Sequence, residues 1–170
     1  MENKTRKITI TALFAATITV MTAYICHIPV GVNGGYVHLG DAFIYMAAVF
    51  LPRPYALAAA AIGGGMADIL TAPMWAPATI IIKMLIVLPF TSEDGKILNT
   101  RNKIAPVLSF LISATGYYLA EGIMFGSFAA PLVSMAGSLV QSGGSAIVFY
   151  FMAIAFDKAG MKAKTAKYVS

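Results

Sequence analysis

The sequence is poor in charged residues for its length. Of its 170 residues, 11% are Asp, Glu, Lys or Arg, whereas soluble domains carry roughly 25%. Hydrophobic residues make up 59% of the chain. This composition excludes an ordinary soluble domain, and it predicts an all-α integral membrane protein built as a bundle of helices.

Cysteine is almost absent, since Cys26 is the single one in the sequence. A disulfide within the chain is therefore excluded, and there is no thiolate cluster for a metal. The two histidines, His27 and His38, are not part of a cysteine or carboxylate pattern that indicates a metal site. We expect neither a metal nor another cofactor.

Motifs for catalysis and for ATP hydrolysis are also missing. The sequence contains no G-x-x-x-x-G-K-[ST], and the glycines of residues 63–65 lie within an apolar segment rather than after a strand. It has no Ser-His, Cys-His or paired-carboxylate motif at a workable spacing. These absences predict a protein that is not an enzyme and has no ATPase of its own.

What the sequence does contain is six apolar segments with an ordered charge pattern. Eleven of the twelve Lys and Arg residues fall where alternating membrane crossings put them on one side, which the positive-inside rule assigns to the cytoplasm. We predict one six-helix domain, residues 1–170, with both termini cytoplasmic. The predicted spans are about 8–28, 40–51, 55–71, 78–90, 104–125 and 132–156.

Two of these segments are short. Residues 40–51 and 78–90 supply a helix of only about 20 Å, which is less than the roughly 30 Å hydrocarbon core. Four spans with two re-entrant segments is therefore an alternative. It fits the charge alternation less well than six crossings do, and neighbouring protein must shelter the ends of the short helices.

Lys83 is the exception to the charge pattern, because it lies inside the fourth apolar segment. An ionisable residue in that setting indicates a functional site. Two alternatives stay open: the side chain snorkels to the membrane surface, or it forms an ion pair with Asp68 or Glu121 that only fixes helix packing.

Polar and aromatic residues are predicted at the same depth as Lys83. Asp41 is as well placed to cap the second helix as to bind a ligand, and Tyr36, Trp75 and Tyr117 also suit an interfacial aromatic belt. The candidate substrate-binding residues are Lys83, Glu121, Tyr117, Gln141, Asn33, Tyr36, His38, Asp41, Asp68 and Trp75.

Small residues at a spacing of four mark two helix faces. Ala12 and Ala16 lie on one face of the first segment, and the third segment repeats the spacing with Ala56, Ala60 and Gly64. Such faces let helix backbones approach closely. We expect packing within the bundle for the third segment and contact with an external partner for the first.

Taken together, these features resemble the S components of energy-coupling factor (ECF) vitamin transporters, which are prokaryotic substrate-binding membrane subunits. The likeness rests on chain size, six spans, the Ala12-x-x-x-Ala16 spacing and the segment HLGDAFIY, residues 38–45. It implies that Ala12 and Ala16 dock on a transmembrane coupling subunit, in a module that also contains two ATPases. It further implies a vitamin pocket under an outer loop, with Asn33, Tyr36 and His38 as its lid.

The predicted function is high-affinity capture of a small ring-containing vitamin from outside, with delivery inward by an ECF-type ABC importer. Pyridoxine or a related pyrimidine precursor is the first candidate, since a lysine, a carboxylate and aromatic faces suit such a ring. Riboflavin, thiamin and other small vitamins stay open. The alternative is a stand-alone ion-coupled permease that uses Asp68, Lys83 and Glu121 as a relay.

Overall fold

The protein is a bundle of helices with one small β-hairpin. The computed structural model describes residues 2–25, 27–30, 35–129 and 131–169. In chain order the elements are α1 (Glu2–Ala23), β1 (Ile28–Val30), β2 (Gly35–Val37), α2 (Gly40–Phe50), α3 (Arg53–Thr71), a 3₁₀ turn (Pro73–Trp75), α4 (Ala76–Leu85), α5 (Thr100–Phe125), α6 (Pro131–Lys158) and α7 (Met161–Val169). The hairpin strands are antiparallel, with Ile28 opposite Val37.

The short helix α2 is at the centre of the bundle. Every residue of α2 except Phe43 is buried, and α1, α3 and α6 all pack against it. Tyr45 stacks on Phe90 at a ring-centroid distance of 4.9 Å and meets Phe149 edge-on at 5.8 Å. Protein therefore surrounds this helix of eleven residues, as its shortness requires.

The glycines of α3 allow helices to pack closely on both of its sides. A Cβ at Gly63 would lie 2.7 Å from Ile18 of α1, and one at Gly64 would lie 2.8 Å from Cγ of Lys83 of α4. Only a residue without a side chain fits at these positions. The small residues of α3 are buried inside the bundle, as expected: Ala56, Ala60 and Gly64.

The helix ends differ from the predicted spans. Helix α1 starts at Glu2 and ends at Ala23, and α4 ends at Leu85, where the following bonds from Val87 and Leu88 reach back only three residues. This tighter turn precedes Pro89, which has no N–H to continue a helix. Helices α5 and α6 are longer than predicted, and α7 was not predicted.

Among the described residues, two helices are long and apolar enough to cross a membrane, Thr100–Phe125 and Met135–Lys158. Two further apolar helices are shorter, Gly40–Phe50 and Pro73–Leu85. The number of crossings therefore remains a prediction.

Candidate ligand-binding site

A cavity of about 90 Å³ lies beside the hairpin. Side chains and backbone from the hairpin, from α1 and from α3 to α6 line it. The lining residues are Thr22, Tyr36, Val37, His38, Asp68, Trp75, Thr79, Lys83, Tyr117, Glu121, Gly137, Ser138 and Gln141. Eight of the ten residues predicted as substrate-binding are in this set, although they come from distant parts of the sequence.

Lys83 forms a buried ion pair with Asp41. Its Nζ atom lies 2.6 Å from Oδ1 of Asp41, and the two residues are 1% and 0% exposed. Both alternatives stated for Lys83 therefore need correction. The side chain does not snorkel, because protein encloses it. Its ion-pair partner is Asp41, whereas Asp68 or Glu121 was expected, because the central position of α2 places Asp41 next to the lysine.

Asp41 also binds a third helix. Its Oδ2 atom accepts a hydrogen bond from Nε2 of Gln141 at 3.1 Å. Asp41 lies in the first turn of α2, where its charge suits the helix N-terminus, but its two carboxylate oxygens bond Lys83 and Gln141. Asp41 lies behind the cavity wall and links α2, α4 and α6, so it holds Lys83 and Gln141 in place.

His38 lies two residues before α2 and is neutral. Its Nδ1 atom accepts a hydrogen bond from the backbone N–H of Gly40 at 3.0 Å, which places the ring proton on Nε2. Burial, and after it the nearby Lys83, lower the pKa of His38 to about 3. At neutral pH His38 therefore adds no positive charge to the cavity.

Tyr36 fastens the hairpin to the end of α3. Its hydroxyl donates to Oδ1 of Asp68 and lies 3.5 Å from the hydroxyl of Thr71, while its ring stacks on His27 at a centroid distance of 4.0 Å. Burial and the adjacent Asp68 raise the pKa of Tyr36 well above its usual value. The phenol therefore keeps its proton and remains a hydrogen-bond donor.

The aromatic side chains of the cavity point inward. Trp75 is 7% exposed and meets Tyr117 edge-on at 6.1 Å. The hydroxyl of Tyr117 is 2.9 Å from that of Thr79, and Nζ of Lys83 lies 5.5 Å from the Tyr117 ring centre. Trp75 and Tyr117 form a wall of the cavity, which favours a role in the site over the interfacial aromatic belt for both.

Some lining residues were not predicted, although two of them carry a sequence signal. Thr79 precedes Lys83 by four residues and Ser138 precedes Gln141 by three, which places each pair on one helix face. The remaining residues, Thr22, Val37 and Gly137, have no comparable pattern. Their position follows only from how the elements pack.

The other predicted site residues lie away from the cavity or cannot be placed. Asn33 lies outside the described residues. Ala12 and Ala16 are exposed on α1, whereas the adjacent Ala15 is buried. Within the described ranges, no group of three or more His, Cys, Asp or Glu residues is arranged to hold a metal ion.

Comparison with known proteins identifies the family. No curated protein matches the chain. The model of a protein family described as "ECF-type riboflavin transporter, S component" matches residues 2–158. This match covers nearly the whole chain and agrees with a helical structure that contains apolar helices of membrane-spanning length. The chain therefore belongs to the S components of ECF-type transporters, which are substrate-binding transport subunits rather than enzymes.

Proposed function

We propose that this protein captures a ring-containing vitamin in the cavity beside the hairpin and delivers it inward together with an ECF module. One observation carries the proposal: in a chain of this family, polar and aromatic side chains from separate helices converge on a single cavity. Concave sites with aromatic walls and a few fixed polar groups are typical of small-molecule binding.

The chemistry of the wall favours a flat ring with polar substituents. Trp75 and Tyr117 offer ring faces and edges to an aromatic ligand, while Lys83 provides N–H donors and Gln141 has an amide oxygen that can accept. Two candidates fit this description. The family description favours riboflavin, whereas a cavity of about 90 Å³ favours a one-ring compound such as pyridoxine or a pyrimidine precursor.

The proposal includes an arrangement in the cell membrane. Six crossings with both termini in the cytoplasm place the hairpin and the cavity on the outer side, where the vitamin enters. Ala12 and Ala16 dock on a transmembrane coupling subunit, and two ATPase subunits supply the energy. The exposure of both alanines on α1 supports this assignment.

Binding and transport by the purified protein test the proposal. We expect riboflavin or pyridoxine to bind tightly in a calorimetric titration, and mass spectrometry of the purified protein to detect the same compound. In liposomes the protein alone should move almost none of it until the ATP-hydrolysing module is added. Uptake driven by an ion gradient, without the module, would show that the chain is a stand-alone permease instead.

A further inference from the structure

The charges around the cavity are unbalanced toward the negative. Lys83 is the single Lys or Arg among its described lining residues, which also include Asp68 and Glu121. Asp41, directly behind the wall, contributes a third carboxyl group. With every carboxyl group counted as ionised, one base against three acids gives a formal charge of −2, and neutral His38 does not offset it.

The positive charge of Lys83 is already neutralised. Its partner Asp41 is fully buried and holds the ammonium group at 2.6 Å. An anionic ligand that bound Lys83 would have to compete with this carboxylate and leave it with a weaker partner. An uncompensated charge in the protein interior is strongly unfavourable.

A neutral ligand does not face this cost. An ammonium group carries three N–H donors, and Asp41 receives one of the bonds of Lys83. A hydroxyl, carbonyl or ring nitrogen of a neutral ligand can accept another of these bonds while the ion pair stays intact. Lys83 then acts as a hydrogen-bond donor rather than as an anion-binding charge.

We propose that Asp41 is the specificity-determining residue of this site: by pairing with Lys83 it makes the cavity accept ring compounds without net negative charge and reject their carboxylate and phosphate analogues. This inference rests on the proposed function. Asp41 does not line the cavity, yet it controls which ligands Lys83 can bind.

Matched ligand pairs test the inference on the unaltered protein. We compare pyridoxine with 4-pyridoxate, in which a carboxylate replaces a hydroxymethyl group, and riboflavin with riboflavin 5′-phosphate. The neutral member of the pair that binds should do so at least about tenfold more tightly. Equal affinity for the two members, or tighter binding of the anion, overturns the inference about charge but leaves the proposed function in place. If none of the four compounds binds, the proposed function fails and the inference fails with it.

Substitution of Asp41 tests the role of that residue. Asp41→Asn keeps the size of the side chain but frees the charge of Lys83, so the affinity ratio should shift toward the anion by about tenfold or more. Glu121→Gln is the matched control, because it removes one negative charge and leaves the ion pair in place. An equal shift of the affinity ratio in both variants overturns the inference, because the loss of any one negative charge near the cavity would then explain it.

A second variant covers the case in which Asp41→Asn does not fold with its unpaired lysine. The double substitution Lys83→Met with Asp41→Asn removes both buried charges. Without a cation to recruit, it should still reject 4-pyridoxate and riboflavin 5′-phosphate. Tight anion binding by this double variant would show that Lys83 is not the group that Asp41 masks.

Discussion

At the scale of the residue, the ion pair of Lys83 and Asp41 determines how much positive charge the cavity offers to a ligand. A buried ion pair contributes little net stability, because both groups lose their hydration, but removal of one partner is strongly destabilising. The pair is therefore better explained by what it does to the cavity than by stability. It fixes the lysine in place and connects three helices directly behind the wall.

His38 gives a residue-scale prediction about pH. Burial, Lys83 and His27 disfavour its charged form, while Asp41 favours it, and the net result is a pKa lowered from 6.5 to about 3. The neutral form therefore stabilises the fold above about pH 6.5, and this contribution declines as the pH falls below that value. Between about pH 6.5 and pH 4.5 this residue should lower the free energy of unfolding by up to about 1.4 kcal/mol per pH unit. Thermal unfolding in detergent measures this as a falling unfolding temperature.

The matched variant for this prediction is His38→Asn. The Asn side-chain oxygen can accept the bond from Gly40 N–H as the histidine nitrogen does, but it does not titrate. We expect a shallower loss of stability with acidification than in the unaltered protein. The same pH slope in both proteins would assign the acid sensitivity to other groups.

At the scale of the element, α3 organises the site because neighbouring parts of the chain meet it on several sides. Its glycines allow α1 and α4 to pack closely against it. The hydroxyl of Thr19 on α1 also donates a hydrogen bond to the carbonyl of Gly63 at 3.1 Å. Its Asp68 receives the hydrogen bond that anchors the hairpin through Tyr36. The position of α3 therefore sets both the position of Lys83 and the position of the hairpin over the cavity.

Gly64→Ala tests this role of α3. The added methyl group would lie 2.8 Å from Cγ of Lys83 and 3.3 Å from Cγ2 of Thr79, so the lysine stem or the helix must shift. Overpacking of this kind costs about 1–3 kcal/mol. We expect a lower unfolding temperature and weaker vitamin binding, measured by thermal unfolding and by titration.

Gly143→Ala on α6 is the control, since a Cβ there meets no atom within 4 Å. The same change should stabilise that helix slightly, by about 0.5–1 kcal/mol. Equal effects of the two substitutions would show that the close approach of α3 and α4 at Gly64 is not required.

At the scale of the whole molecule, the two ends of the bundle differ. One end holds the hairpin and the cavity. At the other end, buried Asn102 exchanges hydrogen bonds with the backbone of Thr91 and donates to the carbonyl of Ile97, while Asp157 accepts from the N–H groups of Ile97 and Leu98. These bonds fix the loop between α4 and α5 to both long helices.

Assembly with the ECF module gives the prediction at this scale. Ala12→Leu or Ala16→Leu enlarges an exposed face of α1 that lies away from the cavity, so vitamin binding should persist while complex formation fails. Co-purification with the module measures this outcome. Ala155→Leu, at an exposed position of α6, is the matched control and should still co-purify. Normal assembly of the α1 variants would place the docking surface elsewhere.

The sequence by itself determined the class of the protein and most of the candidate residues. Low charge, apolar segments and the isolated Lys83 are properties of composition and local order, and they indicated a membrane protein with a polar site. The resemblance to S components, confirmed by the family match, also came from short segments. Helix periodicity would have added Thr79 and Ser138 to the site.

Only the tertiary structure decided which of these residues are partners. Asp41 and Lys83 are 42 residues apart, Tyr36 and Asp68 are 32 apart, and Asp41 and Gln141 are 100 apart. The local sequence pattern carries no information about such pairs. They depend on how closely the helices pack and on the glycines that allow this close packing. For the same physical reason the sequence offered Asp68 or Glu121 as the partner of Lys83, whereas the packing of α2 at the centre of the bundle places Asp41 next to it.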